Sequence, residues 1–230
     1  TVFTAVLVVY AVKILVTRIW PVGELGPMIL TYSAVGLFVY VLCGKLDNNF
    51  AMFYKRIFPF VLIPLVVLQL YSVFIRVNAY GITESRYYVI LFGIYSILCS
   101  LILIISKGSK ISFIALLAAI FALLSITPQI DAFTISRNSQ ANRVLGYLEK
   151  NSMLSGDKII PSSNIPDEDK AELTDIMNYL YRMDHTQHFP WLPEDYNHYE
   201  DFRNIFGFEP YYRSYIPSQE FIYRHLALDP

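Results

Sequence analysis

Residues 87–106 read YYVILFGIYSILCSLILIIS, 20 residues between Arg86 and Lys107 without one Asp, Glu, Lys or Arg. At about 1.5 Å of rise per residue, such a run in helical form measures about 30 Å, the thickness of a bilayer's hydrocarbon core. Three more runs of that kind lie in the chain: 20 residues between Glu24 and Lys45, 19 between Arg56 and Arg76, and 20 between Lys110 and Asp131. A buried helix of a soluble fold is shorter and carries a polar stripe, so four consecutive charge-free runs point to lipid as the solvent. A fifth run, residues 1–17, is interrupted only by Lys13, whose long stem can snorkel to the interface beside Arg18 and Trp20. The expected spans are residues 1–17, 26–44, 57–76, 86–106 and 110–128. The chain starts on Thr inside an apolar stretch, which reads as a first helix that has lost its beginning. It has neither the basic leading region nor the cleavage site of a signal peptide.

Outside these runs the composition changes. Residues 1–127 hold 9 Lys or Arg against 3 Asp or Glu, while residues 128–230 hold 9 against 16. A basic, oily part is thus joined to an acidic, polar part, with domains expected over 1–130 and 131–230. This composition excludes a disulfide-stapled mini-protein, a disordered chain and a collagen-like repeat. An acidic second part also argues against nucleic acid as partner. Neither Cys43 nor Cys99 is placed to staple that part, and both read as small buried hydrophobes. The expected fold class is mainly α: a polytopic transmembrane bundle with a small α+β or helical extracytoplasmic domain.

Loop charges set the expected orientation. One side of a five-helix arrangement carries Lys45, Lys55, Arg56, Lys107 and Lys110, the other Arg18, Arg76 and Arg86. The positive-inside rule puts the larger set in the cytoplasm and the acidic tail outside. Tyr80, Tyr87 and Tyr88 then form an outer aromatic belt, and Phe50, Phe53, Tyr54 and Phe58 an inner one. Pro64 is expected to kink the third helix, and the loop DNNFAMFYKR (residues 47–56) to lie as a short interfacial helix against anionic lipid.

The outer turn from Arg76 to Tyr87, RVNAYGITESRY, holds the candidate site. Gly81 suits a turn requiring positive φ, Thr83 can cap the next helix, and Glu84 sits at that helix's positive end. Two readings apply to Arg76, Tyr80, Glu84 and Arg86. Either the arginines grip a phosphate or carboxylate while Glu84 orients or moves a proton, or the arginines are anchors and Glu84 pairs with one of them.

The turn Tyr80-Gly-Ile-Thr-Glu-Ser-Arg-Tyr87, the apolar hairpin after it and the segment Ile130-Asp-Ala-Phe-Thr-Ile-Ser-Arg-Asn-Ser-Gln-Ala-Asn-Arg143 resemble the DUF4153 family of bacterial polytopic membrane proteins. The resemblance covers roughly residues 50–155. It implies a bacterial cytoplasmic-membrane protein with further helices upstream, and it brings no activity and no catalytic residues.

In the second part, Ser139 to Leu154 has amphipathic spacing, with Asn138 or Ser139 as cap and Ser155-Gly156 as stop. Lys158–Pro161 suits a brief strand. A helix opening at Ile165-Pro-Asp-Glu-Asp should bury Leu173, Ile176, Met177 and Leu180, and another from Pro193 to Phe206 should turn Tyr199, Phe202 and Phe206 to one side before Gly207. Glu209–Leu228 reads as strand or helix. Asp184, His185, His188, His198 and Glu200 form the one histidine cluster, more a polar, tyrosine-rich surface loop than a metal site; no metal and no cofactor is expected. The chain lacks GxSxG, Walker, GxGxxG and kinase patterns. Three functions stay open: a structural or sensory envelope component whose outer domain binds a partner protein or lipid-linked ligand, a transport or export component, and an envelope enzyme acting on a lipid-linked or anionic substrate. Against transport, the runs that form the second, fourth and fifth helices carry no ionisable side chain at mid-membrane.

Overall fold

A computed structural model describes residues 2–17, 25–46, 48–156, 158–193 and 195–212. Its helices are α1 (Val2–Thr17), α2 (Leu25–Leu42), α3 (Asn49–Tyr80), α4 (Glu84–Ile105), α5 (Ser112–Ile126), α6 (Ala132–Lys150), α7 (Asp167–Arg182) and α8 (His198–Phe206). Two short strands, β1 (Leu154–Ser155) and β2 (Lys158–Ile159), pair antiparallel with Leu154 opposite Ile159. The chain divides into two compact units, residues 1–139 and 140–230, and the division falls within α6.

Three helices of the first unit are long and apolar enough to cross a membrane: Gly26–Lys45, Asn49–Tyr80 and Glu84–Ile105. The fifth helix is as apolar but has 15 residues, about 22 Å of helix. Its start is displaced because Lys107 and Gly108, at φ 49° and 78°, turn the chain before it. Its end falls at Thr127, held extended by the proline that follows.

The third helix departs most from expectation. It begins at Asn49 and not at 57, so the loop expected to form a separate interfacial helix is its opening. Asn48 Oδ1 accepts from the Ala51 amide at 2.7 Å and caps it. Residues 49–56 contain no helix breaker, and charge marks where oil ends, not where a helix ends. Pro59 and Pro64 both lie inside it without ending it.

The core of this unit joins Ile29, Leu37 and Tyr40 of α2 to Phe58, Leu62 and Val66 of α3 and to Cys99 and Leu103 of α4. Phe58, expected in an interfacial belt, is instead buried, its ring 5.1 Å from Tyr54 and 5.7 Å from Tyr32. The Tyr54 hydroxyl donates to the Gly36 carbonyl at 2.9 Å, so it too packs inward. Cys99 is buried as expected, whereas Cys43 is half-buried in the 3₁₀ turn after α2. The outward faces are apolar as well: Ile94, Leu98, Leu101 and Ile105 of α4, and Leu116, Ile120 and Leu123 of α5, are exposed. Arg18 and Trp20 lie outside the described residues.

The next helix starts at Ala132, earlier than expected, because Asp131 accepts from the Thr134 amide at 2.9 Å and supplies the cap assigned to Asn138 or Ser139. It stops at Lys150, before the expected Ser155-Gly156: Ser152 takes a left-handed conformation, φ 56°, and the Met153 amide returns to the Leu148 carbonyl at 2.8 Å.

The second unit has its own core. Leu173, Ile176, Met177 and Leu180 are buried as their spacing requires, against Val144, Leu148, Phe202 and Phe206. Asp169, 2% exposed, accepts from Lys150 at 2.7 Å and Asn151 at 2.9 Å. Burial alone would raise this carboxyl, yet those bonds hold it below the usual carboxylate range. The last described helix begins at His198, five residues later than expected, with Asn197 as cap, and ends at Gly207. At φ 84° and with Ser162 backbone close by, Gly207 has neither the conformation nor the room for a side chain. Tyr199, expected inside, is 76% exposed. Residues 209–212 form no regular element, and 213–230 lie outside the described residues.

Candidate functional site

The turn between α3 and α4 closes over a cleft of about 260 Å³. Gln69, Ser72, Val73 and Arg76 line it from α3, Thr83, Ser85, Arg86 and Val89 from the start of α4, and Gly26 and Pro27 from the start of α2. Positions 69, 72, 73 and 76 recur at helical spacing, so one stripe of α3 faces the cleft. Gln69 is 1% exposed and donates from Nε2 to the Gly26 carbonyl at 2.9 Å, which leaves its amide oxygen as a further acceptor. The buried amide thereby ties α3 to the opening turn of α2.

The four candidate residues have different fates. Arg86 Nη1 donates to the Gly81 carbonyl at 2.7 Å and the Tyr80 carbonyl at 3.3 Å, and its guanidinium lies 5.8 Å from the Tyr80 ring centre. It thus satisfies carbonyls left open where α3 ends, while still lining the cleft. Gly81 has φ 68°, the positive value its turn needs. Arg76 is half-buried and lines the cleft, and its side chain makes no hydrogen bond or ion pair among the described residues. Tyr80 is half-exposed and supports Arg86 from outside the cleft, and Glu84, in the first turn of α4, is not a lining residue either. Thr83 occupies the cap position but makes no capping bond; its hydroxyl lies 3.2 Å from that of Ser85. The Ser139 hydroxyl, accepting from the Ile82 amide at 2.9 Å, and the Tyr87 hydroxyl, donating to the Ile130 carbonyl at 2.7 Å, fix the turn from the α5–α6 side.

The residues that the sequence reading passed over are Gln69, Ser72 and Ser85. Their signal was available: Gln69 is a lone amide in a 19-residue apolar run, three and seven residues before Ser72 and Arg76.

The histidines are not a surface cluster. His185 and His198 are buried, at 4% and 0% exposure, while His188 is exposed. His198 stacks on Tyr181 at 5.7 Å, meets the Phe202 ring edge-on at 5.2 Å, and has Nδ1 3.2 Å from the Tyr196 hydroxyl. Burial lowers the imidazole's pKa and raises that of the Tyr196 phenol. Among the described residues no three His, Cys, Asp or Glu side chains are grouped to hold a metal ion.

Residues 1–161 match the model of a domain of unknown function, DUF4153. The chain belongs to the DUF4153 family. The match extends beyond the 50–155 that carried the resemblance, and takes in α1 to α6, the two strands and every residue of the cleft. No curated protein and no solved structure matches the chain.

Proposed function

We propose that this chain is a multi-pass component of a bacterial cell membrane, with α1 to α5 as spans and the acidic C-terminal unit extracytoplasmic, and that its role is to bind rather than to transform. It serves as a structural or sensory envelope component that takes an anionic group, phosphate or carboxylate, in the cleft beneath the α3–α4 turn. The observation carrying this reading is Arg76: a cation facing a polar cleft beside three hydroxyl-bearing residues, Ser72, Thr83 and Ser85, and the positive end of α4. The five-against-three distribution of loop cations supports the sidedness. The enzymatic alternative has less support, since Glu84, the candidate proton carrier, does not line the cleft and Arg86 is engaged with carbonyls.

Thermal melting of the purified chain in detergent, with phosphate or acetate titrated in, tests the cleft. A ligand at about 100 times its Kd adds about 2.7 kcal/mol. The expected result is a rise in Tm with one of the two anions that Arg76→Gln removes. An equal rise in Arg76→Gln, or none in the parent with either anion, contradicts the reading.

A further inference from the structure

A second cleft, of about 500 Å³, lies at the other end of α3 and α4. Among the described residues its lining includes Lys55, Arg56 and Lys107, no carboxylate, and an apolar wall of Met52, Phe60 and Ile104. We propose that it is a site for an anionic phospholipid, whose phosphate sits among the three cations and whose acyl chain runs along that wall. The inference rests on the membrane reading above and adds to it a ligand class at a separate place.

Three cations around one cleft repel one another unless a counterion is supplied, and that penalty grows where lipid and protein replace water. The described residues offer little. Lys55 Nζ donates to the Leu46 carbonyl at 2.9 Å, a neutral acceptor. The side chains of Arg56 and Lys107 make no hydrogen bond or ion pair among the described residues. Of the loop residues at this end, Asp47 is the one acid against five cations. Lys107 also holds φ 49°, a conformation that glycine or asparagine adopts at lower cost, so helix termination alone does not select lysine there.

The wall selects the source of the phosphate. Met52 and Phe60 are 49% and 60% exposed, which suits contact with acyl chains and not with a free anion or nucleotide. A guanidinium offers a phosphate two parallel donors, and the ammonium groups add point charges. Basic pockets between membrane helices on the cytoplasmic side are where anionic headgroups bind, and loop charges assign this end to that side.

Native mass spectrometry of the full chain released from detergent tests the site, with phosphatidylglycerol and phosphatidylcholine as the two probes. Retention of phosphatidylglycerol over phosphatidylcholine is expected, with apparent affinity about tenfold or more weaker in R56Q/K107Q. Two variants serve as controls. K45Q/K110Q removes the same charge from the same end without touching the cleft, and Arg76→Gln alters the other cleft; both should retain the lipid. Equal loss in K45Q/K110Q, loss in Arg76→Gln in place of R56Q/K107Q, equal retention of phosphatidylcholine, or displacement by millimolar inorganic phosphate each overturns the proposal. Its failure is separable from that of the membrane reading. A detergent-dependent chain without lipid preference loses only the site, whereas a chain monodisperse without detergent loses both.

Discussion

At the scale of single residues, burial decides which polar groups matter. His198 has Nε2 enclosed without a hydrogen-bond partner among the described residues and its ring packed among Tyr181, Tyr196 and Phe202. The unfolded chain binds a proton at histidine near pH 6.5, about the ordinary value, while the folded unit resists until lower pH. The stability associated with this burial is therefore full above about pH 6.5 and is lost as acid passes from there down to the folded pKa. Asp169, also depressed, acts with the same sign, but only below the ordinary carboxylate value of about 3.9. Melting followed between about pH 7.5 and about pH 5.5 should show Tm falling with acid, and His198→Phe should flatten the slope. An undiminished slope in that variant would contradict the assignment to His198. This histidine was misplaced from sequence because tyrosines beside it look alike on a surface loop and in a core. Only the return of α8 against α7 distinguishes them.

At the scale of elements, apolar runs located the helices of the first unit, and charge spacing misjudged their ends. Capping chemistry sets those ends: Asn48 begins α3 and Asp131 begins α6, each through a side-chain acceptor on a backbone amide three residues on. Arg76 and Arg86 were legible as candidates because they flank a glycine turn. Gln69 was not, because one uncharged amide leaves the charge-free run between Arg56 and Arg76 unbroken. The α2–α3 contact supplies a prediction at this scale. A Cβ on Gly36 would run into the Phe58 ring, which Tyr32, Tyr40 and Tyr54 hold in place. Gly36→Ala should cost about 1–3 kcal/mol in detergent-solubilised protein, as overpacking of a filled core does. Phe58→Leu in the same chain should recover part of that loss. A neutral Gly36→Ala would mean that α2 and α3 do not pack as closely as described.

At the scale of the whole molecule, the account depends on what surrounds α2, α3 and α4. Ile94, Leu98, Leu101 and Ile105 are exposed at intervals of three or four residues along α4, on the face away from the core. In water that stripe would be a large apolar patch, of the kind that drives association. In a bilayer it is the ordinary lipid-facing surface of a span. A cysteine scan along α4 in sealed lipid vesicles decides between them, using a membrane-impermeant maleimide on a C43S/C99A background. Lipid solvation predicts labelling at Ser85 and at Ser109 when both sides are opened to reagent. It also predicts an unbroken silent stretch between them that includes all four of those positions. Labelling that returns at 94, 98, 101 and 105, while their inward neighbours stay silent, would show water along that face and contradict the membrane assignment.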